Sequence, residues 1–180
     1  MIDCACLWFV REDGRSQSKY NKMKTYIGID PGKGGGLAMI VDYKIAAISP
    51  MPLSGDNMID GLLIAEWIKT QRVNWDDVLA CVEKVSAMPG QGVKSMFTFG
   101  YGVGVIHGTL STMGIPYVLV TPQAWKKDIL AGTLKDKNAA VEYCTRMYPY
   151  VSLIQPRCKK ANDGIAEAIC IAVYASHIYR

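Results

Sequence analysis

Histidine is almost missing from this chain: His107 and His177 are the only two in 180 residues, and they stand far apart in different segments. The six cysteines (Cys4, Cys6, Cys81, Cys144, Cys158, Cys170) show no metal-ligand spacing and have no nearby histidine pair, which excludes a zinc site of the Cys/His kind. Long apolar runs are lacking as well. None reaches the roughly 18 to 20 residues that a membrane-spanning helix needs, so a soluble chain with no membrane partner is expected. Residues 1–23 lack the order of a signal peptide, in which positive charge precedes a longer apolar stretch. Here the apolar patch Cys6 to Val10 comes first, and Arg11, Glu12, Asp13 and Arg15 follow it. These residues read as an extension to the fold, disordered, with Met23 the more natural start. Excess charge of one sign is small too, at +4, and by itself implies nothing beyond solubility.

What is present fits one folded domain, spanning 24–180. Half of the residues are apolar and a fifth are charged, and a chain of this length can bury a substantial core without disulfides. Cys81 and Cys170 lie inside apolar periodic segments, where a reduced thiol acts as a small hydrophobe. The expected compartment is therefore reducing and intracellular: cytoplasm, phage-infected cell or organelle, not the secreted space. The positive charge is unevenly placed. From Thr121 to Lys160 eight basic residues (Lys126, Lys127, Lys135, Lys137, Arg146, Arg157, Lys159, Lys160) face three acidic ones (Asp128, Asp136, Glu142). Such a stretch suits a phosphodiester backbone, and equally a solvated helix face.

Thr25 to Asp30, a glycine turn, Leu37 to Val41 and Lys44 to Ile48 predict an antiparallel β-meander. Met51 to Asp60 reads as a loop, and apolar Leu62, Leu63, Trp67 and Ile68 recur at helical spacing up to about Arg72. Val78 to Val82 is a continuous apolar run, as in a central strand buried on both faces. Lys94 to Met113 carries Gly100, Gly102, Gly104 and Gly108, each of which disfavours helix by about 1 kcal/mol. A helix is still expected, because glycines let another backbone approach closely. Pro116 to Val120 supplies a fifth strand. Thr121 as cap and Pro122 at the first helical position open the next helix, and Ala139 to Tyr148 and Asp163 to His177 complete the set. This order predicts an α/β fold, a mixed five-stranded sheet with helices on both faces.

Against this frame the acidic residues are unusually placed. Asp30 ends the first strand, Glu83 follows the Val78 to Val82 run, and Asp163 and Glu167 open the last helix four residues apart. Desolvating an unpaired carboxylate is expensive, and like charges at i and i+4 repel. Divalent cations would compensate both costs. Magnesium prefers carboxylate and water oxygens to nitrogen or sulfur, so a site of Asp and Glu without His is coherent. Two such ions about 3.5 to 4 Å apart can activate a water and stabilise the leaving alkoxide of a phosphodiester. Singly, each residue also has an ordinary reading: Asp30 as a turn residue before Pro31-Gly32, Asp163 as a helix cap, Glu83 as an ion-pair partner of Lys84.

Three motifs in order, Gly28-Ile-Asp-Pro-Gly32, Val82-Glu-Lys84 and Asp163-Gly-Ile-Ala-Glu-Ala-Ile-Cys-Ile-Ala172, with Thr121-Pro-Gln-Ala-Trp-Lys-Lys127 between the last two, resemble the RuvC-type Holliday junction resolvases of the RNase H-like superfamily, above all their phage and organellar branch. The likeness runs from about Lys24 to the C-terminus. It implies an RNase H-like fold and a structure-selective endodeoxyribonuclease that hydrolyses symmetric phosphodiester bonds of four-way DNA junctions. It further implies two Mg2+ per site, with Mn2+ as a substitute, held by Asp30, Glu83, Asp163 and Glu167. Asp30 would bridge both ions. Since Asn162 adjoins Asp163, the register of the helical ligand stays open by one residue.

A homodimer presenting two sites follows from the need for paired nicks, with Lys94 to Met113 as the expected interface. Lys33, Lys84, Lys94, Lys126, Lys127, Lys159 and Lys160 are candidates for the DNA backbone, and Phe97 and Tyr101, with Phe99, for the junction itself. Core or dimer packing is the alternative role for these aromatics. Two other functions suit parts of the pattern. Ile29-Asp-Pro-Gly-Lys-Gly-Gly-Gly36 could cradle phosphates as in actin-like phosphotransferases and ATPases, although such folds duplicate the domain and this chain is too short for two copies. A branched-DNA-binding module without catalysis is the other.

Overall fold

The β-branched and aromatic run Thr-Tyr-Ile-Gly-Ile-Asp forms strand β1 (Thr25–Asp30) in the computed structural model, which describes residues 24–71, 75–86, 90, 92–133 and 138–179. The expected N-terminal extension, residues 1–23, and Lys135, Asp136 and Lys137 of the basic stretch lie outside the described residues. Strand β2 (Gly36–Val41) returns antiparallel to β1, and β3 (Lys44–Pro50) antiparallel to β2. Asp42 and Tyr43 turn the second hairpin with φ of 47° and 64°, the left-handed pair that a two-residue connection between twisted strands requires. Strands β4 (Val78–Glu83) and β5 (Tyr117–Val120) add in parallel on the other side of β1. The sheet is five-stranded and mixed, in the order β3-β2-β1-β4-β5.

Alternation along β1 sorts its side chains between two cores. Ile27 and Ile29 pack with Ala80 and Val82 of β4 against α1 (Gly61–Thr70) and α2 (Val93–Thr112). Tyr26 joins Cys81 in the other core, under α3 (Pro122–Ile129), α4 (Ala139–Met147) and α5 (Asp163–Ile178). The helix starts follow local chemistry. The Asp60 carboxylate accepts from the amides of Leu62 and Leu63 at the start of α1, and Thr121 accepts from Ala124 at the start of α3.

Helix α2 forms despite its glycines. Its buried edge is Gly102, Ile106 and Leu110, and a Cβ on Gly102 would lie 2.6 Å from Ile59 Cδ1, so this glycine permits a close approach. Gly100, Gly104 and Gly108 have nothing within 4 Å of such a Cβ and face open space.

Helix α5 lies across β1 and β2 and is buried along most of its length, with Ala166, Ala168, Ala172 and Ala175 fully covered. Small residues set the closeness of that contact. A Cβ on Gly28 would strike the Ala168 carbonyl and lie 2.5 Å from the Ala172 nitrogen; one on Gly36 would lie 2.9 Å from Ile165 Cα.

Candidate active site

The two parallel pairings β1/β4 and β4/β5 place three strand C-termini at one end of the sheet, with Ile29 opposite Val82 and Glu83 opposite Val120. Asp30 and Glu83 are therefore neighbours at the ends of adjacent strands. Each lies two residues beyond a position on the α5 side of the sheet, Gly28 and Cys81 respectively, so both carboxylates project toward α5. At the same end α5 begins, its first turn seated on the β1–β2 turn through an isolated bridge between Gly35 and Gly164. Helix α3 also begins here, directly after Val120 of β5, which pairs with Glu83, so its positive end and that of α5 lie at the acidic end of the sheet.

The carboxyl groups also perturb one another's ionisation. Burial pushes the Asp30 carboxyl up to about 7, and the negative fields of Glu167, Glu83 and, least, Asp163 add to the rise against one backbone hydrogen bond in the Gly32 turn. Glu83 is raised as well, by burial first and by Glu167, while the Trp125 N–H and Lys126 oppose the shift. Asp30 thus stands in the field of the other three acidic residues singled out in the sequence, and Glu83 in that of Glu167. At the helix start Asn162 is the cap, its Oδ1 accepting from the Ile165 amide at 2.9 Å, and Asp163 is an exposed first-turn residue whose Oδ1 accepts from the Gly164 amide at 3.1 Å.

Two partners in the cluster were not foreseen. Trp125, fully buried on α3, donates from Nε1 to Glu83 Oε1 at 2.8 Å. The next residue, Lys126, donates from Nζ to Glu167 Oε1 at 2.9 Å, and its ammonium lies 4.9 Å from the Trp125 ring centroid. Burial works against the Lys126 charge, but the hydrogen bond to Glu167 and the fields of Glu167, Glu83 and Asp30 outweigh it and raise its pKa. Lys84, the sequence-adjacent alternative for Glu83, is exposed and shares no ion pair with it among the described residues. The only sequence signal for Trp125 was its place beside the lysines behind the Thr121-Pro122 helix start.

No group of three His, Cys, Asp or Glu side chains among the described residues is arranged to hold a metal ion. The donor set nevertheless fits hard divalent cations in kind: carboxylate oxygens only, beside an Asp30 that is short of positive charge when ionised.

The other candidates are spread over several segments. Lys33 is exposed in the β1–β2 turn, Lys84 follows β4, and Lys94 is in the first turn of α2. Phe97 and Tyr101, 76% and 49% exposed, are not core residues, whereas Phe99 is half-buried. Lys159 and Lys160 are exposed in the loop that leads into α5. Lys126 and Lys127 line a cleft of about 550 Å³ that reaches Glu167 and is walled by Leu130, Gly132, Ala139 and Ala140. Cys81, Cys144 and Cys170 are free and buried, and Cys158 is free and exposed. No helix among the described residues is long and apolar enough to cross a membrane.

No protein-family profile matches the sequence, and no curated protein does. Solved structures do match in shape. RuvC of Thermus thermophilus in complex with Holliday junction substrate has a TM-score of 0.59 at 15% identity, over 86% of this chain and 96% of that one. A second Thermus thermophilus RuvC structure gives 0.54 over the same shares, at 15% identity. The fowlpox virus resolvase in complex with its substrate Holliday junction DNA gives 0.48 at 16% identity, over 86% and 98%. This chain has the RuvC-like, RNase H-like fold.

Proposed function

We propose that the chain is a structure-selective endodeoxyribonuclease that resolves four-way DNA junctions by hydrolysing symmetrically placed phosphodiester bonds with divalent metal. One observation carries the reading: on a fold shared with RuvC, Asp30 is half-buried at the end of the central strand in the field of Glu83, Glu167 and Asp163. Asp30, Glu83, Asp163 and Glu167 would hold the ions, two magnesium with manganese as substitute. When bound, they supply an activated water and stabilise the leaving alkoxide.

The remaining work belongs to side chains of the protein. Trp125 fixes the orientation of Glu83 through its N–H, as partners of metal-ligating carboxylates commonly do. Lys33, Lys84, Lys94, Lys127, Lys159 and Lys160 neutralise phosphates on either side of the scissile bond. Phe97 and Tyr101 present exposed rings near the start of α2, suited to stacking on bases unpaired at the branch point. Two copies joined through α2 would offer one site to each of two strands.

The phosphotransferase reading loses its main support. The Gly35 amide donates to the Gly32 carbonyl at 2.9 Å, and both Gly35 and Gly36 are packed against α5, so this turn is not free to cradle a phosphate. A non-catalytic DNA-binding module is disfavoured because all the carboxylates are retained. The test is incubation with a synthetic four-way junction and a matched linear duplex, with and without magnesium. Paired nicks in the junction alone, lost in Asp30→Asn while junction binding persists, are expected. Retained cleavage in Asp30→Asn would defeat the metal assignment.

A further inference from the structure

We infer that Lys126 is the resting counter-ion of the carboxylate cluster, and that a divalent cation enters by displacing its ammonium from Glu167 into the adjoining cleft. The inference rests on the reading of Asp30, Glu83, Asp163 and Glu167 as the metal-holding set, and concerns what this chain does when no metal is bound.

Consecutive residues of α3 hold glutamates from two different elements. Trp125 takes Glu83 at the end of β4 and Lys126 takes Glu167 on α5, at 2.8 Å and 2.9 Å. The two holds differ in kind. Trp125 is fully buried in the core beneath α5 and cannot withdraw its N–H without unpacking the ring, so its bond to Glu83 persists in any folded state. Lys126 is only half covered, at 45% side-chain exposure, and lines the cleft of about 550 Å³ with Lys127, Leu130, Gly132 and Thr133. Its flexible stem therefore has room to turn away.

The ammonium also reaches beyond its hydrogen-bond partner, acting on Glu83 and Asp30. It supplies one positive charge to a cluster that would otherwise be an uncompensated group of anions at a partly buried strand end. That charge occupies the electrostatic place that a metal ion would take. Lysine and metal are thus alternatives. With Lys126 on Glu167 the metal-free protein is tolerable, and with Lys126 turned out Glu167 is free to ligate while the ammonium stands in the cleft, next to Lys127, where a phosphate is also welcome.

The test needs no catalysis. Manganese binding by titration calorimetry and by metal-induced thermal shift is measured, without DNA, on the wild-type chain, Lys126→Met, Lys126→Gln, Lys126→Arg and, as a control for net charge, Lys69→Met on α1. A unit charge within a few ångströms moves an ionic equilibrium by about tenfold or more. Lys126→Met and Lys126→Gln should therefore bind Mn2+ about tenfold more tightly, melt lower than wild type in chelator, and show a larger metal-induced shift. Lys126→Arg and Lys69→Met should stay near wild type. If Met fails to fold, the polar Gln variant carries the comparison. Wild-type binding with equal or weaker binding in Lys126→Met and Lys126→Gln overturns this inference alone. Absence of saturable Mn2+ binding in every variant overturns the metal reading and this inference with it.

Discussion

Gly35 and Gly164 meet backbone to backbone, the turn after β1 against the first turn of α5. A Cβ on Gly164 would strike the Gly34 carbonyl and lie 2.5 Å from Gly35 Cα, and main chain cannot rotate aside as a side chain can. This contact sets the distance between Asp30, five residues before Gly35, and the acidic residues Asp163 and Glu167 on either side of Gly164. Gly164→Ala is expected to cost about 2–4 kcal/mol of stability, as overpacking against backbone does, and to weaken metal binding beyond that. Gly34→Ala, where a Cβ meets nothing within 4 Å, should leave both unchanged. Denaturant titration and manganese calorimetry on the two variants check the pair.

Trp125→Phe keeps a ring in the core and removes only the N–H that Glu83 accepts. The Glu83 carboxylate loses a hydrogen bond that favours its charged form. Stability should fall by about 1–2 kcal/mol, and junction cleavage by about tenfold or more, the usual effect of losing a metal ligand's outer partner. The acid limb of the cleavage pH profile should move upward, because Glu83 then ionises less readily. An unshifted profile would mean that Trp125 serves only packing.

The strands and helices were legible because the residues that form them obey local rules. The run Thr25 to Asp30 has the observed ends of β1, and Thr121-Pro122 starts α3 where a cap and a first-turn proline should. Even the glycine-rich α2 was readable once glycine was treated as a means of close approach, although the sequence could not show that Gly102 alone packs inside the chain. The carboxylates were legible because strand ends and i,i+4 spacing are patterns in sequence. Their partners were not. Trp125 reaches Glu83 across 42 positions and Lys126 reaches Glu167 across 41, contacts fixed by how α3 lies against α5 and β4. Lys126 therefore read only as one more phosphate contact, and its pairing with Glu167 in the fold was not legible.

Metal-free protein should lose stability as pH rises through neutrality. In the unfolded chain Asp30 ionises near its ordinary value of 3.8, and in the fold near 7. Between these values the folded state keeps a proton that the unfolded state has lost. The stability is full below about pH 4 and declines until pH passes about 7. A loss of about 2 kcal/mol or more from this group is expected between pH 5 and pH 8 in chelator. Asp30→Asn, which cannot ionise, should flatten that dependence and be the more stable protein at pH 8. Urea midpoints of both proteins across this range, with excess chelator, decide it. A wild-type stability that climbs over the same interval would contradict the burial assigned to Asp30.

Helix α2 makes the proposed homodimer testable. Its edge of Gly100, Gly104 and Gly108 repeats every four residues and faces open space, with Phe97 and Tyr101 exposed beside it. Glycine in a helix costs about 1 kcal/mol relative to alanine when nothing packs on it, so three on one exposed edge are tolerable where a second backbone comes close. A two-fold pairing of α2 with its own copy meets that condition, and it is the symmetry that paired nicks require. Gly104→Ala should raise the melting temperature of the monomer yet shift the monomer–dimer equilibrium toward monomer, and Gly104→Leu should abolish the dimer. Sedimentation equilibrium over a concentration series reads both. The dimerless variant should still bind manganese but nick a four-way junction on one strand at a time, losing the coincidence of the two cuts. An unaltered dimer in Gly104→Leu would place the interface elsewhere.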